Sequence, residues 1–223
     1  FQELAAAGFN IGHTYVTPWK DGFHEAAERN GFLIWQQARR PDEHFEKVAR
    51  PLKDIAVWYL GDDTSRHEKP LELQDYNDNT KAVDPTRLTA HADVVNAYRK
   101  VSAFEDYAGR TDVFLPEIYP VWSELHQDVS VAQTIRDMKR IWRDHRLSGR
   151  TEPFAVWPII QTFRGWGWKA YPTRDGLIAS TYAALVWGGL GMTWYSYAPL
   201  RPTGEYQCAT STAERWRDLT ELS

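Results

Sequence analysis

The most constraining feature of this sequence is a repeated alternation between amphipathic segments and short, almost entirely apolar runs. The amphipathic segments have helical spacing, and two of them end on Gly8 and Gly31, the residue type that best adopts the left-handed conformation after a helix. The apolar runs are rich in β-branched and aromatic residues and show little polar alternation, which is typical of strands covered on both faces. The predicted strands are residues 9–16, 32–38, 55–61, 113–119, 154–161 and 192–197, with a weaker one at 87–95.

Strands that alternate with helices pair in parallel through right-handed crossovers, and two architectures satisfy this pattern. A doubly wound open sheet usually carries a G-x-G-x-x-G turn after an early strand, whereas the Gly-Trp-Gly-Trp segment at 165–168 lacks that spacing. The chain begins at Phe1, without Met or a leader and inside a predicted helix, so we expect a processed chain or a fragment. We therefore predict an α/β fold, a (β/α)8 TIM barrel lacking or truncated at its first strand, as one domain over residues 1–223.

Composition excludes several classes of function. The 223 residues are 43% hydrophobic and 25% charged, as in an ordinary soluble globular protein. The net charge of -4 and the scattered Lys and Arg argue against nucleic-acid binding. No apolar run approaches the roughly 18 residues of a membrane span. A single cysteine, Cys208, excludes an internal disulfide framework. We therefore expect neither a nucleic-acid nor a membrane partner.

Tryptophan is unusually abundant, with Trp 11 and Tyr 11 in the chain. Most of these side chains are expected to fill the core. Aromatic faces also stack on the apolar faces of sugar rings, so some of them could line a carbohydrate site. Composition alone leaves both interpretations open.

Carboxylates follow or end two of the predicted strands. Asp62 and Asp63 come directly after the run at 55–61, and Glu117 ends the run at 113–119. In a parallel barrel the carboxyl ends of the strands form the active site. One aspartate there could simply cap the next helix, because Asp is a preferred N-cap residue. Two adjacent aspartates plus a glutamate favour chemistry, and paired carboxylates are what glycosidic cleavage needs.

Hydrogen-bonding and aromatic side chains end most of the other predicted strands or follow them closely. Taken together at the ends of barrel strands, these side chains favour a cleft that binds carbohydrate. Any one of them alone could be an ordinary core or rim residue. The seven histidines include no H-x-H or H-E-x-x-H pair, so we expect neither a catalytic metal nor another cofactor. The predicted substrate-binding residues are His13, Tyr15, Trp35, Gln36, Tyr119, Gln161, Trp166, Tyr195 and Tyr197.

Several short motifs, in order along nearly the whole chain, resemble the barrel domain of glycoside hydrolase-like proteins. They include VWYLGDDTS, DPTR, IYPV, PIIQTF and STYAALVWGGLGMTWYSYA. The resemblance implies that Asp63 stands where many of these proteins have a glutamate on strand four. Family members with a strand-seven nucleophile would have Glu near Gln161, so this chain departs from that mechanism. Other barrel glycosidases pair a strand-four Asp with a strand-six carboxylate, which Asp62 or Asp63 and Glu117 match better.

We therefore predict hydrolysis of O-glycosidic bonds in a poly- or oligosaccharide. Asp63 is the first choice for nucleophile or base, Asp62 is its hydrogen-bonding neighbour or substitute, and Glu117 is the general acid. The alternative is a catalytically silent barrel that binds glycan, which Gln161 favours. A lyase would need a lysine or a metal at a strand end, and the sequence offers neither. On function alone, a secreted or periplasmic location is favoured over a cytoplasmic one.

Overall fold

A computed structural model describes residues 1–13, 22–38, 45–46, 50–94, 103–151, 154–197 and 206–223. The helices are α1 Gln2–Ala6, α2 Phe23–Arg29, α3 Thr64–His67, α4 Pro70–Val83, α5 Ala103–Tyr107, α6 Ser130–Leu147, α7 Arg174–Val186 and α8 Ala213–Thr220. Short 3-10 helices cover Glu124–Val129 and Ala209–Ser211. The strands are β1 Ile11–His13, β2 Leu33–Gln37, β3 Ile55–Gly61, β4 Leu88–Val94, β5 Val113–Ile118, β6 Ala155–Val156, β7 Ile159–Gln161 and β8 Thr193–Tyr195.

The chain divides into two compact units, and the boundaries fall inside β4 and β5. The first unit comprises Phe1–His91, Arg110–Val113 and Ser223. The second unit comprises Ala92–Gly109 and Phe114–Leu222. None of the described helices is long and apolar enough to cross a membrane.

The first unit is built on parallel strands in the order β1-β2-β3-β4. The register sets His13 opposite Trp35, and Gly61 at the end of β3 opposite His91. Parallel pairing with this register brings the carboxyl ends of β1, β2 and β3 to one edge of the sheet. The opposite, amino-terminal side of β2 packs with α1 and α2 in a small core of Ala27, Phe32 and Ile34, to which Phe1, Leu4 and Phe23 contribute.

The Asp-Pro-Thr-Arg turn at residues 84–87, just before β4, is hydrogen-bonded to the middle of β3. Asp84 accepts hydrogen bonds from the Trp58 indole at 3.1 Å and from Arg87 Nη1 at 2.7 Å. The backbone N–H and the hydroxyl of Thr86 both donate to the other carboxylate oxygen of Asp84, Oδ1. Burial opposes ionisation, but these donors outweigh it and hold the pKa of Asp84 well below its usual range. This motif therefore stabilises the fold from the amino-terminal side of the strands.

The second unit also contains parallel strands, with β7 paired to both β5 and β8 and with β6 paired to β5. Its core lies between these strands and helices α6 and α7. The buried apolar side chains there are Phe114, Ile118, Met138, Ile141, Val156, Ile160, Leu177 and Ala184.

The α/β class and the parallel pairing predicted from the sequence are confirmed within each unit. The run at 55–61 is a strand with the predicted bounds, whereas the run at 154–161 is two short strands. The break falls at Pro158, which has no N–H to donate to a neighbouring strand. Residues 14–16 of the first predicted strand lie outside the described residues. Closure into an eight-stranded barrel, and one domain over residues 1–223, stay predictions.

Candidate functional site

Asp62 and Asp63 follow directly after β3, and their carboxylates bond to different partners. The Tyr59 hydroxyl donates to Asp62 Oδ1 at 2.7 Å. Asp63 occupies the N-cap position of α3, but its side chain makes no capping hydrogen bond. Its Oδ2 instead accepts from Arg66 Nη1 at 2.7 Å. Asp63 therefore occupies a helix-cap position, but its carboxylate does not cap the helix.

The backbone at Asp63 is held in an uncommon conformation. Its φ of 47° and ψ of 42° lie in the left-handed region, which Asp tolerates better than most residues but which is sparsely populated without glycine. Burial raises the pKa of the Asp63 carboxyl, and the neighbouring Asp62 acts in the same direction against Arg66 and His67. Strained backbone and a perturbed carboxyl at one position are typical of functional sites.

Three aromatic rings pack together beside Asp62. The His13 ring lies 5.0 Å from the Trp35 ring and 4.8 Å from the Tyr59 ring, and Trp35 and Tyr59 are 5.3 Å apart. His13 Nδ1 lies 3.0 Å from the Trp35 carbonyl oxygen, which can only accept, so Nδ1 carries the proton. Burial lowers the pKa of His13, against the raising effects of this bond and of Asp62. His13 is therefore a neutral imidazole at neutral pH, with Nε2 as its acceptor atom.

The remaining predicted residues of the first unit are less informative. Trp35 is buried, and its indole N–H has no hydrogen-bond partner in the described part of the chain. Gln36 is buried as well, and its amide makes a long contact of 3.4 Å to the backbone of Gln37. Tyr15 lies outside the described residues. The structure thus brings His13, Trp35 and Asp62 together around Tyr59, a residue that sequence reasoning had not selected.

A third carboxylate at the end of β3 also escaped the sequence analysis. Glu68 follows the single turn of α3 and is only 7% exposed. Its Oε2 would lie 3.6 Å from a Cβ atom at position 61, an ordinary contact distance, so this carboxylate lies close to the end of β3. In the sequence, Glu68 is only five residues from Asp63. That spacing indicates that the two carboxylates lie close together only if α3, between them, is a single turn.

A buried histidine on β4 was also not selected. His91 Nδ1 lies 2.8 Å from Thr111 Oγ1, and burial lowers the pKa of His91 to about 3. It is neutral across the physiological range. No spacing in the sequence distinguished it, because its partner is twenty residues away in the chain.

In the second unit, Glu117 lies one residue before the end of β5 and is half-buried. Its backbone is in register with Ile159 of β7, and Tyr119 follows directly after the strand. Glu117 is therefore at the carboxyl end of a parallel strand, where the sequence analysis placed it. Its proposed role as an acid stays a prediction.

An aromatic cluster surrounds the carboxyl ends of β5, β7 and β8. Phe163 is at its centre, with ring centroids between 5.0 and 5.9 Å from those of its neighbours. The Trp168 indole donates to the Tyr119 carbonyl at 2.9 Å, which ties the loop after β7 to the loop after β5. The rings packed around Phe163 are Tyr119, Trp166, Trp168, Tyr195 and Tyr206.

Trp166 occupies the tip of a tight hairpin within this cluster. Gly165 and Trp168 exchange backbone hydrogen bonds of 2.7 and 2.9 Å, which leaves Trp166 and Gly167 as a two-residue turn. Both have positive φ, at 49° and 104°. Such turns favour Asn, Asp or Gly, and a bulky residue there is strained. Trp166 is nevertheless 55% exposed while its ring lies 4.5 Å from Tyr206, so this conformation presents an indole to solvent.

Gln161 and Tyr197 have contacts that account for them structurally. Gln161 Oε1 accepts from the Val121 N–H at 2.9 Å, and its Nε2 donates to the carbonyls of Val121 and Phe163 at 3.1 Å each. This amide holds two loops in place, because its acceptor and its donors are engaged with backbone. The Tyr197 ring packs 5.4 Å from Trp216 of α8. Substrate contact by either residue stays a prediction. Among the described residues, no group of three or more His, Cys, Asp or Glu could hold a metal ion.

Comparison with known proteins gives a fold likeness only. No protein-family model matches the chain, and no curated protein matches it. Solved structures do match, among them a β-glucuronidase from Ruminococcus gnavus in complex with D-glucuronic acid, with a TM-score of 0.64 and 11% identity over 92% of this chain. A GH2 β-galacturonidase from Eisenbergiella tayi bound to galacturonate gives 0.57 and 16% over 96%. A Bifidobacterium dentium β-glucuronidase complexed with coumarin-3-O-glucuronide gives 0.59 and 14% over 99%.

This chain spans 41% of the length of each of these three glycosidase chains. At these identities the likeness establishes a glycoside hydrolase-like fold and leaves the activity to be argued from the residues.

Proposed function

We propose that this chain hydrolyses O-glycosidic bonds in a poly- or oligosaccharide. The observation that carries the proposal is the pair Asp62 and Asp63 at the carboxyl end of β3, with one carboxylate bonded to Tyr59 and the other to Arg66. Glycosidases use two carboxyl groups, one to protonate the leaving oxygen and one to attack the anomeric carbon or to activate water. The fold likeness to glucuronidase and galacturonidase structures supports the same reaction class.

In this proposal Asp63 acts as nucleophile or base and Glu117 as general acid. Asp62 is the neighbour that can substitute for Asp63, since its carboxylate is oriented by the Tyr59 hydroxyl. The direction of the Asp63 pKa bears on this assignment, because a raised pKa retains the proton as a general acid must. If Asp63 is the proton donor, Asp62 is the better nucleophile of the two. Leaving-group dependence separates the two assignments.

Carbohydrate binding is proposed for the aromatic side chains near these strand ends. Exposed Trp166 offers a face for a sugar ring, and Tyr119 and Tyr195 lie in the same aromatic cluster. His13 and Trp35 provide polar atoms and an aromatic surface beside Asp62. Because the matched structures bind glucuronate or galacturonate, uronides belong in the first substrate panel.

A catalytically silent glycan-binding protein is the second candidate function. The specific observation in its favour is Gln161, whose amide stands at the end of β7 and is fully occupied with backbone partners. An amide in this position can fix a binding surface but can neither attack an anomeric carbon nor protonate a leaving group.

The test measures turnover of aryl glycosides, including β-glucuronides, β-galacturonides and neutral hexosides, by the protein and four variants. Asp63→Asn and Asp62→Asn remove one charge each, and Glu117→Gln removes the proposed acid. Asp175→Asn is the matched control, because that carboxylate on α7 is 97% exposed. We expect the variant lacking the acid to lose about 10²–10⁴-fold in kcat with poor leaving groups and much less with 4-nitrophenol. If Asp63→Asn retains the turnover of Asp175→Asn, the role assigned to Asp63 is wrong. Glycan binding without turnover by the unmodified protein would favour the silent binder.

A further inference from the structure

Exposed apolar side chains are concentrated at the end of α7. Twelve large hydrophobic side chains are exposed among the described residues, and five of them lie within the nine positions 182–190. Single exposed apolar residues are ordinary on a protein surface, whereas a contiguous group marks an interaction surface. This group, here called the apolar patch, consists of Tyr182, Leu185, Val186, Trp187 and Leu190.

The apolar patch is held on hydrogen-bonded backbone. Tyr182, Leu185 and Val186 are spaced three and four positions apart in α7, so they share one face of the helix. Leu190 follows the helix, and its N–H donates to the carbonyl of Val156 in β6 at 2.9 Å. Val186 is nevertheless 81% exposed and Leu190 73% exposed. Their exposure is therefore a property of an ordered surface.

A row of cations borders the apolar patch on α6. Lys139 Nζ lies 4.3 Å from the centroid of the Trp187 ring, and the Trp142 indole donates to the Trp187 carbonyl at 2.7 Å. Arg136 and Arg143 are exposed as well, three positions before Lys139 and four after it, so they lie on the same side of the helix. We call Arg136, Lys139 and Arg143 the basic row.

The charge of α6 is positive overall. The helix contains five Lys or Arg but only two aspartates, and both aspartates are buried. One of them, Asp144, pairs with Arg143 at 2.6 Å, and Asp137 acts electrostatically on Arg136. The two carboxylates therefore cancel only part of the charge beside the apolar patch.

Helix α4 presents a surface of the opposite charge. Its exposed stripe contains Leu71, Asp75 and Asp78, which follow helical spacing, with Glu72 beside them. Glu72 and Asp78 accept hydrogen bonds from neutral groups, a backbone N–H and two side-chain amides, so their charge is not cancelled by these donors. Leu71 is 70% exposed. We call Glu72, Asp75 and Asp78 the acidic row.

We propose that the apolar patch and the basic row form a docking surface for α4 of a second copy of this chain. The acidic row meets the basic row, and Leu71 contacts the apolar patch. An apolar centre with a charged rim is the usual composition of a protein interface, and complementary charges orient the two partners. The contact uses none of Asp62, Asp63 and Glu117, so it goes beyond the proposed glycosidase function.

Two charge reversals test the contact. One variant combines Arg136→Glu with Lys139→Glu, and the other combines Asp75→Lys with Asp78→Lys. Each reversal makes the two surfaces alike in charge within its own variant, so neither variant should associate with itself. In a mixture, a reversed α6 meets a reversed α4, and an unmodified α6 meets an unmodified α4. The mixture should therefore associate again.

Sedimentation velocity over a concentration series, at low and high salt, measures the association. All substituted side chains are exposed, and circular dichroism checks that each variant is folded. Leu190→Asp tests the apolar contribution separately. Arg217→Glu and Asp175→Lys are the matched controls, because both positions are exposed and lie outside the two rows.

We expect the unmodified protein to self-associate, more weakly at high salt because exposed charges are screened. Each charge reversal should raise the dissociation constant by at least about 100-fold, since attraction becomes repulsion, and the mixture should recover most of that loss. The proposal is overturned if the unmodified protein is monomeric at every concentration, if the reversals act like the controls, or if the mixture stays monomeric. A monomer that binds anionic lipid vesicles through the basic row would assign the surface to a membrane and also overturn it. These readouts need no turnover, so they stand apart from the test of the glycosidase proposal.

Discussion

The Tyr59 hydroxyl donates a 2.7 Å hydrogen bond to Asp62, joining the inside of β3 to the first residue beyond it. The Tyr59 ring also packs against His13 and Trp35, so one side chain links the carboxylate to residues on β1 and β2. A carboxylate held in this way has its orientation fixed by the sheet. We infer that Tyr59 is a positioning residue for the carboxylate site.

Tyr59→Phe should lower activity without unfolding the protein. The phenyl ring keeps the packing against His13 and Trp35, while the hydrogen bond to Asp62 is lost. Because hydrogen bonds to charged groups are worth about 1.5–3 kcal/mol, we expect kcat to fall by about 10- to 100-fold. Tyr182→Phe is the control, because Tyr182 is an exposed tyrosine of α7. Equal effects of the two variants on kcat would refute the positioning role.

Arg66→Gln should reveal whether the reaction needs the Asp63 carboxyl ionised or protonated. Arg66 lowers the pKa of Asp63, so its removal raises that pKa further. The ion pair is partly exposed, and pairs of this kind are worth about 0.2–1 kcal/mol, which corresponds to about 0.2–0.7 pH unit. If Asp63 acts as nucleophile or base, the acidic limb of kcat/KM moves up by this amount. If Asp63 donates a proton, the basic limb moves instead. Arg217→Gln is the control, because Arg217 of α8 is exposed. If the kcat/KM profiles of the two variants are identical, Asp63 takes no part in the reaction.

Much of the fold follows from local patterns in the sequence, and β3 shows why. Its apolar run is covered on both faces and ends on Gly61, so its bounds could be predicted without tertiary information. The break in the run at 154–161 was also encoded, because Pro158 cannot donate to a strand ladder. That signal was missed because the apolar character of the run continues across it.

The bonding of the site could not be predicted in the same way. Asp62 and Asp63 stood out by position, but the Tyr59 and Arg66 contacts depend on the left-handed turn at Asp63. Glu68 approaches Gly61 only because α3 is a single turn. Gln161 was selected as a ligand contact, whereas its observed partners are the backbone of loops that no sequence pattern places beside it. These relationships are set by turn geometry and tertiary contact.

Asp84→Asn should destabilise the first unit and change how its stability depends on pH. Asp84 is buried with three donor side chains, and removing one partner of such a buried ionic pair costs about 3 kcal/mol or more. The pKa of Asp84 is lower in the folded chain than in the unfolded chain. Its contribution is therefore complete above the unfolded value of about 3.9 and is lost as pH falls below it.

Chemical denaturation between pH 3 and pH 8, followed by circular dichroism, checks this prediction. The difference in unfolding free energy between the protein and Asp84→Asn should be constant at neutral pH and should shrink toward pH 3. Asp175→Asn should show a much smaller difference throughout, because Asp175 is 97% exposed and an exposed ion pair is worth about 1 kcal/mol or less. A gap that widens as the solution is acidified would contradict the assigned sign.

Trp166→Asn should separate the ligand-binding role of the hairpin from its folding. Asn followed by Gly is the preferred sequence for a turn in which both central residues have positive φ, so the substitution relieves backbone strain at position 166. It also removes the contact of the indole with Tyr206, which works against stability. Because the two effects oppose each other, we expect the free energy of unfolding to change by less than about 1 kcal/mol. Glycan affinity should nevertheless fall by about tenfold or more, which corresponds to about 1.4 kcal/mol, since the exposed ring face that would stack on a sugar is lost. Calorimetric unfolding and glycan titration on the same preparations measure both quantities. An unchanged affinity with an intact fold would show that Trp166 is strained for a reason other than ligand binding.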